Sequence, residues 1–306
     1  MKVFLTGCTG YVGREVARHL IKANHSVVAL IREGTETKIP SDIDGKIQLV
    51  FGDLKNPESY RSALKGVDAI INLPGLLREF PNKGILFEEV HFLGAKNLID
   101  EAKTVNINRF IQMSALGVRE NSITKYQITK FKAEEYLRSS GLQFTIFRPS
   151  LIFGNEKEGM MNFFSVLNEL LEMLPFFVPV IGNGNYLFQP VSIQNIAEGI
   201  TASLSNSESI GKEFDVAGQD RYSYNQLLEM IMHVTGNYKI KFYQPISLMK
   251  MVAGIFGKYK FFPITKDQII MLEENSISDN WKNYYDTFNI KPIRLVETIN
   301  KNFTTK

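Results

Sequence analysis

The stretch Val3-Phe4-Leu5-Thr6-Gly7-Cys8-Thr9-Gly10-Tyr11-Val12-Gly13-Arg14 sets a short apolar run against a glycine-spaced turn and the start of an amphipathic segment. Val12, Val16, Ala17 and Leu20 then share one face of a helix expected from Val12 to Ile21. In a strand-turn-helix of this kind Gly7 permits a tight turn and Gly10 lets a phosphate approach the backbone. Gly13 removes a side chain where helix and strand pack. Backbone amides at the helix start can then hold a pyrophosphate. The alternative is a glycine turn kept for structure alone.

Outward from this unit the same alternation repeats. Strands are expected at Ser26 to Ile31, Ile47 to Phe51, Ala69 to Leu73, Phe110 to Met113 and Phe144 to Phe147. Helices are expected at Pro57 to Leu64, Leu86 to Ala102 and Ile123 to Arg138. The strands are short apolar runs without polar alternation, as burial on both faces requires, so the fold class is α/β, a Rossmann-type doubly wound parallel sheet. The second half is less regular. Helices are expected at Met160 to Leu174, Ile193 to Leu204, Tyr224 to Val234 (capped near Ser223) and Ser247 to Ile255. Strands are expected at Phe214 to Ala217 and Ile240 to Phe242, with a Pro/Gly-rich loop through Gly184. This gives residues 1–155 as mainly a nucleotide-binding core and 156–306 as a smaller, partly interleaved C-terminal region with segments returning to the core.

Composition narrows the function. Lys and Arg number 35 against 32 Asp and Glu, a net charge of +3 that is too balanced to indicate nucleic-acid binding. The single cysteine, Cys8, excludes an intrachain disulfide, and four scattered histidines show no metal-ligand spacing, so no metal is expected. Met1-Lys2 leads at once into the first strand, leaving no room for an apolar signal segment, and the expected location is cytoplasmic or peripheral to a membrane. The longest uncharged interval, Met173 to Ala197, carries Pro175, Pro179 and Pro190 and does not suit a transmembrane helix.

Nucleotide choice turns on the residues after the next strands. Arg32 stands where an NAD-selective site often presents an acidic residue to the ribose diol. A cation there favours a ribose phosphate, hence NADP, with NAD as the alternative, and Arg14 is placed to assist. Solvated surface arginines are the competing reading, and Glu33 and Glu36 weigh against NADP. Asp53 of Gly52-Asp53-Leu54 is positioned to accept an adenine amino hydrogen, with Leu54 over the base edge, or else serves a surface turn. Asn72-Leu73-Pro74-Gly75 follows the fourth strand and either shapes the cofactor crevice or marks an ordinary turn.

With these pieces in order, the sequence resembles the extended, atypical short-chain dehydrogenase/reductase superfamily over nearly all of residues 1–300. Within it, the branch containing the nucleotide-binding accessory subunit of respiratory complex I and its bacterial relatives is the most similar. The resemblance rests on Thr6 to Arg14, Gly52-Asp53-Leu54, Asn72-Leu73-Pro74-Gly75, Met113-Ser114-Ala115-Leu116-Gly117, Tyr126-Gln127-Ile128-Thr129-Lys130 and Arg148-Pro149-Ser150-Leu151-Ile152-Phe153-Gly154. It implies a cofactor-contacting loop that includes Thr9, Tyr11 and Val12, and a catalytic set of Ser114, Tyr126 and Lys130. Ser114 would orient a carbonyl and Tyr126 donate the proton, while Lys130 favours the phenolate and binds the nicotinamide ribose. Four-residue spacing puts Tyr126 and Lys130 on one helix face, and a tyrosine competent near neutral pH needs positive charge beside it. The resemblance also assigns Pro149 and Ile152 to the nicotinamide side of the crevice, and Gln189 to Ile193 with Asn195 to a returning segment beside the substrate region. Pro74 departs from the family's small residue and removes an amide donor beside the cofactor.

Two segments, Met160 to Ile181 and Pro245 to Pro263, are apolar enough to form a small-domain core, to line a lipid-like substrate pocket, or to meet a membrane or a membrane-complex partner. The expected function is an NADP(H)-dependent reductase or dehydrogenase of a small or apolar carbonyl or alcohol. The alternatives are a non-catalytic nucleotide-holding accessory or assembly protein of a membrane respiratory complex, and a nucleotide-responsive interaction module.

Overall fold

The structure is a computed structural model that describes residues 1–154, 162–257 and 264–303. The first half alternates β1 (Lys2–Thr6), α1 (Tyr11–Lys22), β2 (Ser26–Ile31), β3 (Gln48–Phe51), β4 (Ala69–Asn72), α2 (Gly94–Thr104), β5 (Arg109–Met113), α3 (Lys125–Arg138) and β6 (Gln143–Pro149). A later strand, Lys212–Val216, pairs with β6. Together they form a seven-stranded sheet in the order Lys212–Val216, β6, β5, β4, β1, β2, β3, with every pairing parallel. This is the doubly wound Rossmann-type architecture. Its strand order reverses direction between β1 and β4, the switch point outside which such sheets bind ligands.

The chain divides into two compact units that are interleaved in sequence. The first comprises Met1–Pro149, Gln194–Val216 and Lys282–Lys291; the second comprises Ser150–Ile193, Ala217–Trp281 and Pro292–Lys306. In the first unit, alternate strand residues feed opposite faces of the sheet. Phe4, Val28, Ile70, Phe110 and Ile146 pack with Leu98, Ile99 and Ala102 of α2 and Leu137 of α3. Phe147, next after Ile146, points the other way, into a ring cluster with Phe214, Tyr284 and Phe288. Such apolar burial, worth about 1.5–3 kcal/mol per large side chain, is the main term holding the helices to the sheet.

The second unit has its own core, in which Phe164, Leu167 and Leu171 meet Val178, Val180, Leu227, Leu228 and Ile231. The helix Tyr224–Thr235 begins with a capping box made by Ser223 and Gln226, in keeping with the cap expected at Ser223. Among the described residues, no helix is long and apolar enough to cross a membrane.

Three expected elements differ. Pro57 to Leu64 is not one helix but two 3-10 turns, Pro57–Ser59 and Arg61–Leu64, because Tyr60 between them departs from helical geometry at φ −131° and ψ −8°. Leu86 to Ala102 opens with a π-helical segment, Glu88–Leu93, before α2. The expected loop before Gly184 contains the strand Phe177–Ile181, paired in parallel with Ile240–Gln244. Pro179 is tolerated in this strand because a two-stranded sheet consists only of edges. The helix expected from Met160 is formed as Phe163–Met173, its first two residues lying outside the described residues.

Candidate nucleotide site

The sheet's register lines up the site. Val50, Leu30, Thr6, Asn72, Gln112, Ile146 and Glu213 are successive partners across the strands, so they form one row near the C-terminal ends. Gly7, Arg32, Asp53, Leu73, Ser114 and Pro149 all follow within three residues of this row. Ile152 instead lies in the second unit, where the strand Ile152–Phe153 pairs with Val191–Ser192. In that unit Gln189 donates to the carbonyl of Gly218 and accepts from the Ser278 amide, whereas Asn195, in the first unit, donates to Lys291 O.

At the switch point, Gly7 has φ +79° and its carbonyl accepts from the Gly10 amide at 3.0 Å. A Cβ on Gly13 would sit 2.0 Å from Gly7 O, which enforces glycine there, whereas one on Gly10 would meet only Gly7 O, at 3.2 Å. The backbone in front of Gly10 is therefore open to a ligand. Helix α1 starts at Tyr11 with no side-chain cap and no acidic residue in its first turn, which leaves the positive end of its dipole without a carboxylate. Thr9 belongs to this turn, and Val12 is buried behind it. The Nε of Arg14 is buried and, among the described residues, has no hydrogen-bond partner. Cys8 is fully buried, and burial pushes its thiol up to about 11, which makes it inert packing.

Behind the turn runs a buried polar relay. Thr6 Oγ1 donates to Asn72 Oδ1 at 2.6 Å, Asn72 Nδ2 donates to Gln112 Oε1 at 2.8 Å, and Gln112 Nε2 donates to Met113 O at 3.0 Å. The same Met113 carbonyl accepts from Lys130 Nζ at 3.4 Å. The relay ties the ends of β1, β4 and β5 to α3. Leu73 and Pro74 pack against Gly7, whose added Cβ would lie 3.2 Å from Pro74 N. Across the same turn, a Cβ on Gly75 would lie 3.6 Å from Lys130 Nζ. The turn after β4 thus sits between the glycine loop and Lys130.

Lys130 is buried and its pKa falls to about 8, chiefly through loss of hydration, opposed by the negative charge of Glu134. Its ammonium lies 5.6 Å from the centre of the Tyr126 ring. Contrary to the expectation of a lowered tyrosine, burial pushes the Tyr126 phenol above its ordinary value, so the side chain is a neutral donor across the neutral range. Ser114, next to Met113, donates its amide to Phe147 O at 2.7 Å, while its buried hydroxyl has no partner among the described residues. Pro149 at the end of β6 accepts from the Leu116 amide at 2.9 Å, carrying the β5–β6 pairing past Ser114.

On the other side of the switch point, Arg32 is exposed, and its guanidinium has no ion-pair partner among the described residues. Glu36, one of the two acids expected to compete, is engaged by the Gly34 amide at 3.2 Å. Asp53 is half-buried, and one carboxylate oxygen accepts from the Lys55 amide at 2.9 Å, a local turn. Leu54 packs at the start of α2, where a Cβ on Gly94 would come within 3.2 Å of it.

Two groups at this site were not anticipated from the sequence. His91 is buried, with Nε2 accepting from the Leu76 amide at 2.9 Å and Nδ1 bonded to Thr129 Oγ1 at 3.0 Å. Glu134 is fully buried under Arg148 and Arg138. Glu134 had a signal, since it lies one helical turn from Lys130. His91 had none, as its partners are 15 and 38 residues away. Among the described residues, no group of acidic, His or Cys side chains is arranged to hold a metal ion.

An uncapped helix start, a glycine turn that no side chain can fill, and a switch point between β1 and β4 define the class: a dinucleotide-binding Rossmann protein. Residues 7–167 match the family described as NAD(P)H-binding, and the chain belongs to that family. It is 26% identical over 286 residues to the mitochondrial NADH-ubiquinone oxidoreductase 40 kDa subunit of Neurospora crassa, covering 89% of this chain and 73% of that one. It is 24% identical over 294 residues to the photosystem II assembly factor Ycf39 of Trieres chinensis, covering 95% of this chain and 88% of that one. In fold it is similar to a nucleoside-diphosphate-sugar epimerase of Staphylococcus aureus, with a TM-score of 0.77, 20% identity and coverage of 98% and 100%.

Proposed function

We propose that the chain binds NADP(H) across the β1–β4 switch point and reduces a small or apolar carbonyl compound, or runs the reverse oxidation. The observation that carries this reading is the pair of buried polar atoms without hydrogen-bond partners among the described residues, Arg14 Nε and Ser114 Oγ, on either side of the turn after β4. A buried donor left unmatched costs about 1–3 kcal/mol, a cost that a ligand at the site would relieve. The glycine turn and the start of α1 would take the pyrophosphate, Arg14 a phosphate oxygen, Arg32 the ribose phosphate and Lys130 the nicotinamide ribose. Asp53 keeps one carboxylate oxygen outside its local turn for the adenine.

A bound nicotinamide supplies or accepts the hydride. The chain's own residues do the rest. Ser114 Oγ–H orients the carbonyl oxygen, and Tyr126, neutral and without a hydrogen bond to its hydroxyl among the described residues, gives that oxygen its proton. Lys130 stabilises the phenolate left behind until solvent restores the proton. The second reading, a nucleotide-holding accessory or assembly protein, is favoured by a specific surface and by what two of the relatives are called. In the second unit, helix Ile246–Phe256 buries only Ala253 and leaves Met251 59% and Ile255 56% exposed. Phe176, Phe177, Ile240 and Phe242 add an exposed apolar set in the same unit, larger than a lone surface residue requires. By contrast, the apolar face of Phe163–Met173 belongs to that unit's core.

The deciding experiment is native purification with identification of retained nucleotide, followed by assays for substrate-dependent oxidation of NADPH over a panel of carbonyl compounds. The reductase reading expects turnover that Tyr126→Phe abolishes. Retained nucleotide with no turnover, or turnover unchanged by Tyr126→Phe, contradicts it and leaves the accessory reading.

A further inference from the structure

Among the described residues, one hydrogen bond from outside ties down the turn between the glycine loop and Lys130. Leu76, its last residue, spends its amide proton on His91 Nε2 at 2.9 Å. Because Nε2 accepts, Nδ1 carries the imidazole proton and donates to Thr129 Oγ1 at 3.0 Å, and Thr129 passes its own hydroxyl proton to Tyr126 O at 3.0 Å. The imidazole therefore bridges the turn to the helix face that carries Tyr126 and Lys130. Its ring plane is set by aromatic contacts, stacked on Phe87 at 5.2 Å and edge-on to Tyr126 at 5.2 Å. His91 sits in the π-helical segment Glu88–Leu93, a local widening that is common at functional sites.

We infer that His91 is a positioning residue that fixes the turn Leu73–Leu76 against α3 and so sets the width of the crevice between Gly7 and Lys130. The chemistry suits histidine: the bridge needs an acceptor at one end of a flat apolar ring and a donor at the other, and among ring side chains only neutral imidazole offers both. Burial and the Lys130 charge keep the ring neutral by pushing its pKa down to about 2. Pro74 sharpens the dependence. It contributes no amide hydrogen of its own, so among the described residues the turn is held by its packing on Gly7 and by this one bond at Leu76. The consequence for the crevice rests on the nucleotide-binding reading, whereas the bond itself does not.

The test uses the full chain and three variants. In the nucleotide-free protein, nitrogen-15 spectra of His91 should show a proton on Nδ1 and a bare, hydrogen-bonded Nε2 at neutral pH. His91→Phe keeps the ring stack and loses both bonds. It should speed exchange of the Leu76 amide at least about tenfold, leave the slow amides of β1 and β4 unchanged, and weaken NADPH binding about tenfold. His91→Gln, whose longer side chain reaches Leu76, should restore both readouts to within about twofold. His91→Asn, which reaches only Thr129, should behave like the Phe variant. A proton on Nε2 in the wild type, Leu76 exchange unmoved by His91→Phe, or rescue by Asn rather than Gln would overturn the assignment. Unchanged NADPH affinity in a Phe variant that has lost Leu76 protection would overturn its role in the crevice. If the wild type binds no dinucleotide, the nucleotide reading fails, and the tautomer and Leu76 exchange still decide whether His91 holds the turn.

Discussion

Glu134→Gln is the perturbation whose size the geometry constrains best. Glu134 is fully buried and takes a two-point contact from Arg148, Nε at 2.9 Å and Nη2 at 2.5 Å, with Arg138 Nη2 at 2.9 Å on the same oxygen. Glutamine keeps the shape, removes the charge and turns an NH2 group toward a guanidinium. Removing one member of a buried ion pair costs about 3–5 kcal/mol. Arg148 keeps Glu213 at 2.8 Å and Arg138 keeps it at 2.5 Å, which places the loss at the low end, about 3 kcal/mol or roughly a hundredfold in the folding constant. A second effect has a definite sign. Glu134 is the charge that supports the Lys130 ammonium, so the Lys130 pKa must fall further below about 8. Denaturant unfolding measures the first effect, and NMR titration of carbon-13-methylated lysine measures the second. A stability change within about 0.5 kcal/mol, the range of an ordinary surface substitution, or a Lys130 pKa that stays or rises, would refute the reasoning.

Further outcomes follow from the same geometry. Gly13→Ala places a Cβ 2.0 Å from Gly7 O, so the turn must open; nucleotide binding should be lost while circular dichroism retains the sheet, and near-normal affinity would contradict the packing argument. Ser114→Ala removes a buried hydroxyl that has no partner among the described residues, so unfolding free energy should hold or rise slightly while any reductase turnover falls at least about a hundredfold. Lys130 has its pKa lowered from 10.5 to about 8 on folding, so between these values the unfolded chain binds more protons and the Lys130 contribution to stability rises with pH. Urea unfolding of wild type against Lys130→Met at pH 7.5 and at pH 10 should show a wild-type gain of order 2–3 kcal/mol that the variant lacks, and parallel behaviour would contradict the burial cost.

What the sequence made legible follows from how local each signal was. The parallel sheet could be read because β1, β2 and β4 are short runs buried almost throughout, and because glycines at 7, 10 and 13 act within a single turn. The strand Phe177–Ile181 was hidden by Pro175 and Pro179, which suggest a loop unless the strand is known to lie at an edge. Three later helices, Lys266–Glu273, Trp281–Phe288 and Leu295–Phe303, were not anticipated, although Thr265 and Gln268 form a capping box that a closer reading of spacing would find. At the site, the positions of the glycine turn, Arg32, Ser114, Tyr126 and Lys130 relative to the strands could be read from the chain. The electrostatics could not. Tyr126 was expected to be lowered by Lys130, and instead its burial dominates and pushes the phenol up. His91 and the Thr6-Asn72-Gln112 relay depend on contacts between strands and helices far apart in the chain, for which a single sequence carries no periodic signature.

The central claim is that the turn at Gly7 and the start of α1 hold the paired phosphates of a dinucleotide, with Arg32 reading the ribose phosphate. Isothermal titration calorimetry of the wild-type chain and Arg32→Ala with NADPH and NADH tests it most directly. The account predicts saturable one-site binding of NADPH that Arg32→Ala weakens about tenfold or more, with a smaller change for NADH. Equal losses for both cofactors would remove the phosphate-reading role of Arg32, and no binding of either cofactor to the wild-type chain would contradict the account at its base.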